Sequence, residues 1–338
     1  MEEKVTTTAK TGTDRKKWWT RQLRDNNSVL ILIVLVIVAF TCVSGFKTTA
    51  YQAILTSAEY GLVALGLGIV MMTGNIDLSI GYMAASCGVS FVTIFNVVYN
   101  ATGGNSLLSL LAGLIVALVQ GLLLGCLNGF LVTKIGISPL IATIATNYIF
   151  NGYVLQFAQS SYAPEDKTIV KVIGNTQIFG IKWLTPMVII FIVLIVVVAL
   201  WMYKTRFGNA IKLVGDNPEA ADFAGISSKK VIFVAYAIAG VLAGLCGFMM
   251  VSYTGASIYT QGTALSTLPV SCCVLGGVKM SGGKGTAVHV LLGVLIMRII
   301  SQIMNSLHLQ TAIVNLVTGL LLIAILLVDR FTSKKKDA

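Results

Sequence analysis

WLTPMVIIFIVLIVVVALWMY, residues 183–203, carries no charged side chain over 21 positions. At a rise of about 1.5 Å per residue, a helix of that length spans about 30 Å, the thickness of a bilayer's hydrocarbon core. Residues 26–46 form a second uncharged run of 21 residues. Residues 78–133 form one of 56, enough for two crossings around a polar break at 103–105. Hydrophobic residues make up 56% of the 338-residue chain and charged residues only 11%. A soluble surface needs roughly 25% charge, so lipid is the solvent this composition fits.

Marking uncharged runs along the chain gives an all-α integral membrane protein of about ten transmembrane helices. They are expected at 28–46, 51–73, 78–99, 107–132, 137–157, 183–203, 231–253, 264–279, 285–305 and 311–328, the eighth being short enough for a half-helix. Residues 1–27 form a basic head, 28–329 the membrane domain and 330–338 a basic tail. Lysine and arginine concentrate on the cytoplasmic side of membrane proteins. With the amino terminus inside, 19 of the 24 basic residues fall in the head, at Lys134, in the 204–230 loop, at Lys279 and Lys284, and in the tail. Both termini are therefore expected in the cytoplasm, and the net charge of +11 is read as orientation rather than nucleic-acid binding.

Six cysteines lie inside apolar stretches without metal or redox spacing, which fits small buried hydrophobes. Two histidines are too few and too scattered for a metal centre, and no metal site is expected. A membrane-embedded enzyme would need clustered ligands or catalytic groups, and none is spaced for it. No cleavable leader is expected. The GxxxxGK[ST] phosphate loop is absent, so ATP and Mg are expected on a partner subunit, with no cofactor bound by this chain.

Two loops are long: 158–182 outside and 204–230 inside. The inner one contains GDNPEAADFAGI, residues 215–226. Asn217 is suited to cap a short helix, Pro218 to its first position, and Glu219 to its positive end. Gly225 is suited to the left-handed turn that closes it. Gly215, Asp216, Ala220, Ala221, Phe223 and Ile226 complete a small, partly apolar element. A helix this short anchors poorly in lipid, so a docking rod for a cytoplasmic partner is the favoured reading over an amphipathic surface helix.

At this loop the chain resembles the ribose-type (monosaccharide) ABC importer permeases, a family that also groups with branched-chain amino acid permeases. TRFG at 205–208 and GDNPEAADFAGI look like that family's coupling region. LGLGIVMMTGNIDLSIG at 65–81 is similar to its Thr-Gly-Gly-Ile-Asp-Leu-Ser-Val-Gly signature, and VLGGVKMSGGKG at 274–285 is a third match. The resemblance implies a dimer of identical or sister permeases, two cytoplasmic ATPase subunits and an extracytoplasmic solute-binding protein. Asn75 stands where the family has a second glycine. Residues 264–273 lack the acidic residue usual there and contain Pro269, which bears on which solute is carried. A non-sugar solute, a nucleoside or an amino acid, is the alternative.

Polar groups inside spans are candidates for a translocation pathway or gate: Glu59, Asn75, Asp77, Asn128, Asn147 and Asn151. Asp77 is expected to be an N-cap for the third span, with gating secondary. Glu59 either faces the pathway or pairs with Arg298, the one cation within a span. The asparagines can bind a sugar hydroxyl or another helix. An ion-coupled transporter, the rival class, would need a buried acid, for which only Glu59 qualifies. Small-residue spacings at Gly61, Gly66 and Gly68, and at Gly240, Gly244 and Gly247, read as helix packing. Residues 67–74 and 275–282 echo one another position by position as LGxVxM[TS]G, suggesting a parallel repeat.

Overall fold

In lipid each backbone N–H and C=O must find a partner within the chain, and helices meet that demand locally. The computed structural model describes residues 46–309 except 159 and 160, with isolated positions at 34, 36 and between 313 and 323. The expected spans at 28–46 and 311–328, the head and the tail lie outside the described residues apart from those positions. Eleven helices have complete bounds among the described residues: α1 (Phe46–Met72), α2 (Ile80–Ala101), α3 (Ser106–Phe130), α4 (Pro139–Phe157), α5 (Lys167–Asn175), α6 (Pro186–Lys204), α7 (Arg206–Asp216), α8 (Pro218–Phe223), α9 (Ser228–Thr254), α10 (Tyr259–Gly276) and α11 (Ala287–Ser306). A π-helical turn, Leu131–Ile135, extends α3 and is closed by Gly136 at φ 84°. The other eight expected spans are all helices, and six are long and apolar enough to cross a membrane: α1, α2, α3, α6, α9 and α11.

The core is the sheath around α1, α2 and α9. Leu62, Leu67, Ile69, Phe91, Tyr236 and Phe248 are among its fully buried side chains. The outward faces of α3, α4 and α6, with Leu123, Ile141, Ile149 and Val197 exposed, present hydrocarbon to the surroundings. Cys87, Cys246, Cys272 and Cys273 are buried free thiols, as small core residues should be.

Helices α3 and α9 cross with their backbones in contact. Gly113, Ala117, Gly121, Gly125 and Gly129 recur every fourth residue and so line one face of α3. A β-carbon on Gly121 would overlap the Gly240 carbonyl and stand 2.9 Å from the Gly244 amide; one on Gly125 would stand 2.9 Å from the Gly240 Cα. The expected packing role of Gly240 and Gly244 holds. Their partner stripe on α3 is marked in the sequence by the same four-residue spacing.

The 158–182 segment contains helix α5. The run Ile169, Val170, Ile173 after Asp166 is its signal, too short to register as a span. Asp166 caps it, accepting from the Thr168 amide at 2.9 Å, while Ser106 donates to its other oxygen at 2.5 Å. The Ser106 hydroxyl holds the Asp166 carboxyl below the usual carboxylate range. Asn175 donates to the Ser252 and Tyr253 carbonyls, and Tyr162 pairs with Ser257 through both main-chain bonds.

Candidate functional site

The 204–230 loop is two helices in succession. Thr205 opens α7, its hydroxyl accepting from the Gly208 amide at 3.1 Å. Asn217 opens α8, accepting from the Ala220 amide at 3.0 Å, with Pro218 at the first position. Gly225, at φ 81°, closes it: its amide donates to Asp222, and the Ile226 amide reaches back to Ala221 at 2.9 Å. This is the double bond pattern of a Schellman turn. Asp222 then ties α8 to α9, accepting from the Ser228 amide at 2.8 Å and hydroxyl at 2.7 Å. Those bonds hold its carboxyl below the usual range, so it stays charged at neutral pH.

On this braced element Phe223 is 93% exposed. Beside it lies an apolar hollow of about 200 Å³, lined by Leu213, Asp216, Asn217, Ala220, Ala221, Ala224 and Ile226. Ala221 is buried and Ile226 half-buried, so of Phe223 and Ile226, the two large apolar residues of the element, Phe223 alone projects fully. Glu219 is exposed in the first turn.

The base of the element locks onto two other motifs. The Gly283 amide donates to the Met72 carbonyl at 3.0 Å, joining the end of α1 to the loop after α10. Gly215 fits between them: a β-carbon there would overlap both that carbonyl and that amide. Gly282, at φ 89°, would with a β-carbon lie 2.6 Å from the Gly215 carbonyl and 2.7 Å from the Gly74 amide. Gly74 itself has φ 78°. The three motifs, separate in sequence, therefore meet at their glycines, and the echoed segments 67–74 and 275–282 end side by side. Substituting Gly215 by alanine forces the three backbones apart at a cost of about 1–3 kcal/mol. The expected result is a lower thermal unfolding temperature in detergent and weaker transport, while the neighbouring Gly225→Ala leaves this junction intact.

Above the junction the chain runs irregularly through residues 73–79 before α2 begins. Ile80 reaches the level of Gly66, six residues before the end of α1, so this break is enclosed by protein. Ser79, not Asp77, occupies the cap position of α2 and makes no side-chain cap bond. Asp77 lies two residues earlier, fully buried, and accepts from the Ser79 amide at 2.9 Å and hydroxyl at 2.6 Å. The polar group that cannot reach water is thus satisfied by the turn it braces. Asn128 of α3 donates to Asp77 at 3.2 Å and to Ser79 at 2.8 Å, and Tyr236 of α9 donates to the Ile76 carbonyl at 2.9 Å. Replacing Asn128 by leucine removes a donor from a buried carboxyl, at a cost of roughly 1–3 kcal/mol. Differential scanning fluorimetry of the purified permease should show the corresponding fall.

The remaining pathway candidates separate. Asn75 lies at the edge of an open cavity of about 470 Å³ with Thr133, Lys134, Ser138, Lys229 and Ile232. Glu59 of α1 is buried, its carbonyl accepts from the Cys246 thiol of α9, and it interacts electrostatically with Arg298 of α11. Arg298 gives its Nε hydrogen bond to Thr56 at 3.0 Å and lies 4.2 Å over the Tyr60 ring. Asn147 and Asn151 lie on α4, away from both groups.

Three motifs joined at one junction, a braced rod at the surface and a bundle of apolar helices define the membrane component of a transport system. The chain belongs to the ribose-type and branched-chain amino acid ABC permease family: the family described as "branched-chain amino acid transport system / permease component" matches residues 49–326. It is a multi-pass cell-membrane protein. Its relatives include the autoinducer 2 import system permease protein LsrC of Escherichia coli O9:H4, 28% identical over 314 residues, covering 90% of this chain and 87% of the relative. LsrC of Shigella flexneri is 28% identical over the same length. LsrC of Yersinia pestis (strain Pestoides F) is 28% identical over 288 residues, covering 84% and 78%. No solved structure matches.

Proposed function

We propose that this chain is the permease subunit of an ABC importer that translocates a small sugar or sugar-derived solute. An extracytoplasmic binding protein delivers the solute, and a separate cytoplasmic subunit binds ATP and Mg and hydrolyses the nucleotide. Two permeases, identical or sister chains, form the membrane unit, each with ten crossings and both termini inside. The observation that carries this reading is Phe223, held in water on a helix capped at both ends and locked at its base to α1 and the loop after α10.

Residues 215–226 receive the movement of the ATPase, and the glycine junction passes it to the membrane helices. Ligands bias such an equilibrium only through different contacts in its two states. ATP supplies that difference by drawing its two subunits together. Asp77, Ser79 and Asn128 keep the break before α2 rigid while the helices around it shift, and the cavity at Asn75 is the inner end of the route. The sugar reading draws on the relatives, which are autoinducer 2 import permeases.

The test is uptake by proteoliposomes containing the permease, its ATPase and its binding protein. Uptake that requires ATP, stops with vanadate and persists with an uncoupler supports the importer. Uptake driven by an ion gradient without ATP would replace it with a secondary transporter.

A further inference from the structure

The cavity beside Asn75 carries a charge imbalance that solute passage does not explain. Its wall runs from the π-helical turn to Pro139 at the start of α4, and Lys229 and Ile232 of α9 join it. Lys134 and Lys229 both line it and both are exposed, while no carboxylate lines it with them. Lys229 also stands in the first turn of α9, against the positive end of the helix dipole. Asp222 lies close enough to Lys229 to feel its charge, but its two oxygens are taken by the Ser228 amide and hydroxyl. Like charges around one cavity repel, and an anion between them relieves that repulsion.

The polar groups of the wall divide into engaged and free. The Thr133 hydroxyl donates to the Gly129 carbonyl at 2.7 Å, and the Asn75 amide donates to Thr73 at 3.0 Å. Ser138 precedes α4 without a side-chain cap bond, so its hydroxyl is left, with the two ammonium groups, as a donor to the cavity. The turn that presents Ser138 is fixed by Gly136 at φ 84° and by the Ile137 amide on the Leu131 carbonyl at 3.1 Å. Ile135 in the wall, and Leu140 and Ile141 just after it, expose hydrocarbon.

We infer that this cavity is an anion site that takes a phosphate group, held by the Lys134 and Lys229 ammonium groups and the Ser138 hydroxyl. Two sources supply that chemistry: the headgroup of an acidic phospholipid and a soluble phosphate. Basic pockets between membrane helices take lipid headgroups of this kind, and the exposed hydrocarbon beside the wall suits the lipid's chains. A phosphate is much smaller than the cavity, so the passage at Asn75 stays open beside it. The inference rests on the importer reading only for placing the site at the cytoplasmic surface.

The test is ligand-dependent thermal unfolding of the purified whole chain in neutral detergent. The probes are phosphatidylglycerol, phosphatidylcholine and inorganic phosphate. Phosphatidylglycerol is expected to raise the unfolding temperature where phosphatidylcholine does not, with the effect shrinking at high salt. Each lysine near an anionic surface contributes about fivefold in affinity, so K134Q/K229Q should raise the half-saturating concentration about thirtyfold. K230Q removes the same charge one residue outside the wall and should change little. S138A takes no cap bond from α4, so it should weaken binding while leaving the unliganded unfolding temperature in place. The same pattern with inorganic phosphate alone would assign the soluble source and keep the site. No stabilisation by either anion would overturn the site, as would equal stabilisation of K134Q/K229Q or an equal loss in K230Q. None of these outcomes touches the importer reading, which stands or falls on ATP-driven uptake.

Discussion

Replacing Phe223 by alanine is expected to leave the permease in the membrane at its normal level and to abolish most ATP-driven uptake. The ring is 93% exposed, so its loss removes nothing from the core. Helix α8 keeps its Asn217 cap, its Gly225 closure and the Asp222 bonds to Ser228. What disappears is an aromatic anchor for a partner, and fully burying a phenylalanine contributes about 1.5–3 kcal/mol. At about 1.4 kcal/mol per factor of ten, that is a loss of roughly ten- to a hundred-fold in affinity for the ATPase. Co-purification of the two subunits and ATP hydrolysis stimulated by loaded binding protein are the measurements. Unchanged co-purification would show that α8 is not the contact. Ala221→Arg is the poorer probe, because Ala221 is buried and the substitution would unseat the helix itself.

Substituting Gly121 by leucine should do the reverse and remove the folded protein altogether. In an isolated helix the change is favourable by nearly 1 kcal/mol, since glycine is a poor helix former. Here a β-carbon meets main-chain atoms of Gly240 and Gly244, which no rotamer change can move. Helices α3 and α9 must separate along the whole glycine stripe, and overpacking of this kind costs about 3 kcal/mol or more. Crowding therefore outweighs propensity. Gly152→Leu is the control, because a β-carbon there meets nothing within 4 Å. Comparable yields of monodisperse protein from both variants, measured by gel filtration in detergent, would refute the argument.

Hydropathy located the helices well because a bilayer imposes one rule on every span. It located their ends less well. Helix α9 begins at Ser228 and includes Lys229 and Lys230, which an uncharged run must exclude, and α10 starts five residues before its expected span. The cap and closure of α8 were readable because Asn217, Pro218 and Gly225 act on their immediate neighbours. Asp77 misled at short range: its distance from α2 is set by an enclosed break whose shape depends on Asn128 and Tyr236, far away in the chain. The meeting of Gly74, Gly215 and Gly282 was unreadable for the same reason. Each glycine marks a turn locally, and only the fold reveals that the turns share one spot.

That shared spot is built from main-chain atoms, with the Gly283 amide on the Met72 carbonyl and Gly215 filling the gap. Side chains can absorb a push by changing rotamer, whereas peptide planes in van der Waals contact cannot. The assembly should therefore behave as a rack-and-pinion with almost no backlash: an ångström of travel at α7 arrives at α1 as an ångström, and slack in the stroke has to come from somewhere else in the machine.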